Sequence, residues 1–331
     1  MTAIASRTVS LARQNLPLVA TVVVCALLYV TGAVAFRGFA SARVFANFIS
    51  ENAFLGVVAV GLTFVILSGG IDLSVGAVVG CTSILIATLV KGSAHVPPMH
   101  PSVAIAVVLA LGVLFGAAQG ALIRFFALPA FLVTLAGLFF CRGLGLLIST
   151  ESQSITHPFY NALADVALPI GGRGASLSLP GVVFLVVLVI GIYLARYTRF
   201  GRNCYALGGS EHSAGLMGLP VGTTKVAVYA LSGFCSALAG VVYTIYTSAG
   251  NATAAGGLEL DAIAAVVVGG TLLSGGSGSV AGTFFGILIF GIIQTGIAFQ
   301  GTLSSWWSRI AVGLLLLVFI LLQKLIQRKG T

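Results

Sequence analysis

Charged residues are spaced so widely in this chain that long stretches of it have no soluble fold to adopt. None occurs between Arg13 and Arg37, between Glu51 and Asp72, or between Asp72 and Lys91, and residues 262–308 carry none at all. Only 7% of the 331 residues are charged, against about 25% in an ordinary globular domain. Such a chain cannot cover itself for water, which excludes a cytosolic enzyme, a secreted domain and a disordered polymer. It leaves a polytopic membrane protein, in which lipid replaces water as the main solvent.

A bilayer is crossed by about 20 apolar helical residues, and each charge-free gap is read as one crossing. The expected spans are 16–35, 51–72, 72–91, one within 91–124, 129–148 (interrupted by Arg142), 180–197, 225–248, two within 262–308 around a Gly-rich turn, and 305–323. The predicted fold class is all-α: one membrane domain over 1–331 with about ten transmembrane helices. Arg7 and Arg13 precede a run ending at Ala33-Val34-Ala35, which resembles a signal-peptide cleavage site. The run is long for a signal and right for a span, so retention is expected. Pro17, Pro129 and Pro180 sit at predicted helix starts, where a missing N–H costs nothing. The other six prolines fall in loops or at their edges.

An even number of spans puts both ends on one side. Placing them inside collects Arg7, Arg13, Arg124, Arg196, Arg199, Arg202, Lys225, Lys324, Arg328 and Lys329 there. It leaves Arg37, Arg43, Lys91, Arg173 and Arg309 outside, the bias of the positive-inside rule. The net charge of +9 is therefore scattered along loops, and no nucleic-acid partner is expected. Trp306 and Trp307 then sit at the outer interface, where indoles are favoured. Two connections are long: a polar periplasmic loop at about 149–179 and a cytoplasmic loop at about 198–224. The second carries the densest positive charge and is a candidate docking surface.

The glycines, 43 in all, recur at four-residue spacing: Gly76 and Gly80; Gly112, Gly116 and Gly120; Gly278, Gly282 and Gly286. Such stripes let helix backbones approach closely in lipid. Signs of catalysis are missing. No lysine follows a glycine, so there is no ATP-binding P-loop, and no GxSxG elbow occurs. The histidines (His95, His100, His157, His212) fall in loops and form no HExxH. The five cysteines lie far apart without CxxC spacing, so no metal or redox pair is expected. Gly276-Ser277-Gly278-Ser279-Val280-Ala281 matches a dinucleotide fingerprint but lacks the βαβ setting that gives it meaning.

The polar residues inside the spans are the functional candidates. Asp72 follows Ser68-Gly69-Gly70-Ile71, and a carboxylate at mid-span costs about 2.5–3.5 kcal/mol. It is read as capping the next helix, as a polar latch near the pathway, or as a coupling-ion site. Glu259 and Asp261 suit the positive N-terminal end of a helix, or else line the outer mouth. Arg142 has only small and apolar neighbours. Asn52, Thr134, Gln119 and Gln294 could meet sugar hydroxyls or bond other helices. The expected pathway set is Asn52, Asp72, Ser74, Gln119, Glu259, Asp261 and Gln294.

The run Gly69-Gly70-Ile71-Asp72-Leu73-Ser74-Val75-Gly76 resembles the GGIDLSVG signature of bacterial sugar ABC-importer permeases, the ribose/xylose/galactofuranose group. Thr198-Arg199-Phe200-Gly201-Arg202-Asn203-Cys204-Tyr205-Ala206-Leu207-Gly208-Gly209 with Ser213-Ala214-Gly215-Leu216-Met217-Gly218 is similar to that family's cytoplasmic loop. Further blocks stand at 259–264, 268–276 and 301–307. The last of these, with Asn52-Ala53-Phe54-Leu55-Gly56, looks most like a galactofuranose permease subunit. The resemblance implies a multi-pass protein of the bacterial inner membrane that is not itself an enzyme. It implies one half of a two-permease pore, with an identical or homologous second permease. A cytoplasmic ATPase using ATP and Mg would drive it, and a periplasmic sugar-binding protein would supply it; this chain would hold no cofactor. The coupling segment is expected at 205–218, with Tyr205, Ala206, Gly208, Gly209, Glu211, Ala214, Met217 and Gly218. Ser210 departs from the family's usual Asn. Competing classes are an ion-coupled secondary sugar transporter and a passive channel.

Overall fold

The computed structural model describes residues 2–92, 97–170, 174–302, 304 and 306–328. His95, Arg173, Leu303, Ser305 and Lys329 lie outside the described residues, as do the side chains of Arg7, Arg13, Lys324 and Arg328. The chain is helical nearly throughout. In order the helices are α1 (Thr2–Ala35), α2 (Ala42–Glu51), α3 (Ala53–Leu67), α4 (Val75–Lys91), α5 (Pro101–Phe125), α6 (Ala130–Ile148), α7 (Pro158–Ala164), α8 (Leu179–Tyr197), α9 (Arg199–Gly209), α10 (Glu211–Leu216), α11 (Val221–Thr247), α12 (Leu258–Val268), α13 (Val280–Gln300) and α14 (Trp306–Arg328). Two antiparallel strand pairs tie down loops. β1 (Gln153–Ser154) pairs with β4 (Ala249–Gly250), and β2 (Ala167–Pro169) with β3 (Ser176–Ser178).

α3 is the axis of the bundle. It is apolar on every side and every residue but Phe54 is buried, as a helix hydrophobic all round must be. α11, α8, α12 and α13 pack around it, and α11 also lies along α5 and α4. α5, α6 and α8 turn apolar side chains outward instead, among them Leu114, Phe139, Phe140 and Val189. In water such a surface would aggregate; in hydrocarbon it is the correct solvent boundary.

Each of the ten expected crossings meets a helix, but not every one has the length of a full span. Six helices are long and apolar enough to cross a bilayer, or seven if α2 and α3, bent by 58° around Asn52, form one span. α4 and the apolar part of α14 are shorter. α12 has 11 residues, about 16 Å at 1.5 Å per residue, which is half of a hydrocarbon core of about 30 Å. Both α3 and α12 end in Gly-rich breaks before the chain resumes as α4 and α13. Gly69, Gly270, Gly275 and Gly276 have φ of +81°, +90°, +84° and +73°, left-handed backbone that stops a helix and that glycine adopts without strain. The first break carries Asp72, the charge that separates the spans expected at 51–72 and 72–91, and the second is the Gly-rich turn expected within 262–308. Pro17 also differs from expectation: α1 runs through it, and the apolar window begins just after, at Leu18. His212 lies within α10 rather than in a loop, while His100 and His157 cap α5 and α7.

The glycine stripes pack backbone on backbone. A Cβ on Gly116 would strike the Tyr229 carbonyl of α11, and one on Gly286 the Ala265 carbonyl of α12. Gly116→Ala should therefore destabilise the detergent-solubilised protein by about 1–3 kcal/mol. Gly143, also within a helix, faces open space, and Gly143→Ala should be neutral or stabilising. Equal melting temperatures for the two variants would refute the packing argument.

Candidate functional site

The break between α3 and α4 carries Asp72 into the middle of the bundle, where it is 2% exposed. A buried carboxylate is tolerable only when its oxygens are hydrogen-bonded. Here Oδ1 accepts from the backbone N–H of Ser74 at 2.9 Å and from its hydroxyl at 2.6 Å. Oδ2 accepts from the Ser232 hydroxyl of α11 at 2.7 Å. The Ser74 hydroxyl also lies 3.3 Å from Gln119 Oε1 on α5, while Gln119 Nε2 is buried with no partner among the described residues. The Tyr229 hydroxyl donates to the Ile71 carbonyl at 3.3 Å. Asp72, Ser74 and Gln119 thus come together as a clamp joining α4, α5 and α11 across the break. Asn52 stands apart, at the bend between α2 and α3, donating from Nδ2 to the Phe48 carbonyl at 3.0 Å.

Glu259 and Asp261 both lie in the first turn of α12. The Glu259 carboxylate rests over Gly76 of α4, where any Cβ would displace it. Arg142 finds carbonyls rather than an acid: Nη1 donates to Ala252 at 2.7 Å and Ala254 at 3.1 Å. Asp261 and Gln294 separate from the rest of the set and line a cleft with Trp306 and Arg309.

The 198–224 segment folds as two short helices with different tasks. α9 faces inward: Gly201, Cys204 and Leu207 are buried, and the Tyr205 hydroxyl donates to the Gly278 carbonyl at 3.0 Å. Burial of that phenol pushes its pKa up. Ala206 is half-buried. Gly208 touches the Leu67 carbonyl and the Gly276 nitrogen, so no Cβ fits, whereas one on neighbouring Gly209 would meet nothing. Ser210 caps α10 by accepting from the Ser213 N–H at 3.2 Å, a task Asn performs equally well. α10 faces outward. Ala214 is buried, but Glu211, Gly215, Leu216, Met217 and Gly218 are exposed, and Glu211 pairs with Lys225 at 2.6 Å. Glu211, His212, Gly215, Leu216 and Val221 surround an open hollow of 570 Å³.

Gly208 also exposes a junction that inspection of single motifs misses. Leu-Ser-Gly-Gly occurs twice, at 67–70 and 273–276. The two copies meet: the Gly276 N–H donates to the Leu67 carbonyl at 2.9 Å, and a Cβ on Gly275 would lie 2.8 Å from the Gly69 backbone. The end of α9 closes on both. A search for internal repeats would have drawn attention to the pair. Ser232 was missed as well, sitting in an unremarked Ser-Gly pair; Leu216 falls within the expected 205–218 segment without being singled out.

A family profile described as the branched-chain amino acid transport system / permease component matches residues 44–320. The chain belongs to that family. This permease is 52% identical to the inner membrane ABC transporter permease protein YjfF of Escherichia coli, over 94% of its own length and 93% of that protein's. It is 36% identical to the fructose import permease protein FruG of Bifidobacterium longum over 96% and 93%. It is 39% identical to the ribose import permease protein RbsC of Haemophilus influenzae over 83% of both chains. No solved structure matches it.

Two outcomes test the geometry. Asp72→Ala strands the hydroxyls of Ser74 and Ser232 and should cost about 1–3 kcal/mol, seen as a lowered melting temperature; an unchanged value would show that the clamp carries no load. Gly208→Ala should disrupt the junction while Gly209→Ala is tolerated. If proteolysis of the 198–224 segment is accelerated equally in both variants, the junction is not packed as described.

Proposed function

We propose that this permease is one subunit of an ATP-driven importer that carries a monosaccharide inward across the bacterial inner membrane. The observation that carries the reading is the path from an exposed helix to the interrupted core. α10 presents Leu216 and Met217, 77% and 69% exposed, beside a hollow able to receive a partner's side chain. Exposed apolar residues grouped on a short helix mark an interaction surface, and methionine adapts well to one. α10 follows α9 after the single extended residue Ser210, and Gly208 of α9 abuts both glycine breaks. A displacement of α10 therefore reaches α3, α4, α12 and α13 without an intervening flexible element.

The partner on α10 is a cytoplasmic ATPase that uses ATP and Mg, and a periplasmic binding protein delivers the sugar. A second permease, identical or homologous, completes the pore. Both termini and the 198–224 segment are cytoplasmic, and the 149–179 segment is periplasmic. The fructose and ribose import permeases among the relatives support a sugar cargo. The motifs at 52–56 and 301–307 favour galactofuranose within that class. Affinity for the sugar resides mainly in the binding protein, because a pore that held it tightly would release it slowly.

Replacing residues 205–218 with a Gly/Ser linker should abolish co-purification with the ATPase while leaving membrane insertion intact. Undiminished association would remove α10 as the docking element.

A further inference from the structure

α12, α13 and α14 enclose a cleft of 260 Å³ that packing alone does not explain. Asp261, Gln294, Trp306 and Arg309 line it, over a floor of Phe290 and Val312. The side chains of Asp261 and Gln294 make no hydrogen bond with other described residues. Asp261 and Arg309 share the wall and attract each other across it, without closing to an ion pair among the described residues. The Arg309 guanidinium instead lies over the Trp306 ring, 5.1 Å from its centroid. Gln294 is exposed on a helix that is otherwise almost wholly apolar. Ionisable and amide groups at membrane depth are costly against hydrocarbon, so they face a water-filled cavity or a protein partner. The cleft lies far from α10: Gln294 stands roughly 20 Å along α13 from its start at Val280, beside the junction.

We propose that this cleft is a monosaccharide subsite on the translocation route, where one sugar ring pauses between delivery and release. The proposal rests on reading the chain as a sugar permease. Each wall group has a matching function on a sugar. The Asp261 carboxylate accepts from vicinal hydroxyls, the Gln294 amide both donates and accepts, and the Arg309 guanidinium donates to hydroxyl oxygens. The Trp306 indole covers the apolar C–H face of the ring. The volume lies just below the range of about 300–1,000 Å³ typical of drug-sized ligands, which suits one ring and not two. A cleft open on one side binds weakly, as a transit site must.

The chain contains two tryptophans, which supplies a direct probe. In the W307F variant Trp306 is the sole indole; in W306F the sole indole is Trp307, which does not line the cleft. Full-length protein in lipid nanodiscs is titrated with D-ribose, D-xylose, D-fructose and D-galactose, with glycerol and sodium chloride as controls. A saturable change in Trp306 emission with at least one sugar is expected, with no response from W306F. Adding D261N or Q294L should weaken the apparent affinity at least about tenfold, since each removes hydrogen bonds to the ligand. In proteoliposomes holding the assembled importer, the same substitutions should lower sugar moved per ATP several-fold while ATP hydrolysis continues. No saturable response, an equal response to glycerol or salt, or unchanged affinity in both variants would overturn the subsite. ATP-independent uptake, or none, by the wild-type assembly would instead overturn the importer reading, whatever the titration gives.

Discussion

Backbone groups at a helix end need partners from outside that helix, and this permease brings two such ends together at its glycine breaks. Four C=O groups at a helix end lack intrahelical partners, and in hydrocarbon each unsatisfied group costs several kcal/mol. The two breaks resolve the problem partly with each other. The Leu67 carbonyl of α3 accepts from Gly276 in the second break, and the Ile71 carbonyl accepts from Tyr229. Within the second break, Thr271 donates back to Val266 and Leu272 to Ser277. Backbone must come this close to backbone for the bonds to form, which is why Gly69, Gly208, Gly275 and Gly276 meet at one point.

That arrangement also limits how the 198–224 segment can move. A helix held to the core by side chains alone could shift by changing rotamers and leave the breaks undisturbed. Gly208 offers no such slack, because its Cα lies against backbone atoms of both breaks. The neighbouring Gly209 has open space, so the constraint is sharply local. Under the proposed docking, force applied to α10 would enter the bundle beside its two breaks.

Much of this architecture was legible in the sequence. Charge gaps located α5, α6, α8, α11 and α13 because long apolar helices in lipid need nothing else, and the four-residue glycine spacing anticipated close backbone packing along α5, though not that α11 is the helix that supplies it. The extent of α12 was not legible: Ala262 to Val268 and the break after it are equally free of charge, and only backbone dihedrals distinguish helix from turn. The residues around Asp72 were named one by one, but their convergence depends on Ser232, a single hydroxyl 160 positions away. Arg142 was legible as a residue needing a partner; that the partners are carbonyls at 252 and 254 follows from loop geometry with no pattern of its own.

The polar residues at membrane depth fall into two chemical states, and the difference separates support from passage. Asp72 has both oxygens engaged within the chain, so admitting a ligand there would first break bonds that hold four segments together. Among the described residues the side chains of Asp261 and Gln294 make no hydrogen bond, and Arg309 has the charge of Asp261 and the face of the Trp306 indole. In the proposed subsite a polyhydroxylated ring would meet these groups without breaking the hydrogen bonds around Asp72. The groups free to exchange partners, rather than the most deeply buried charge, are the ones a moving solute can use.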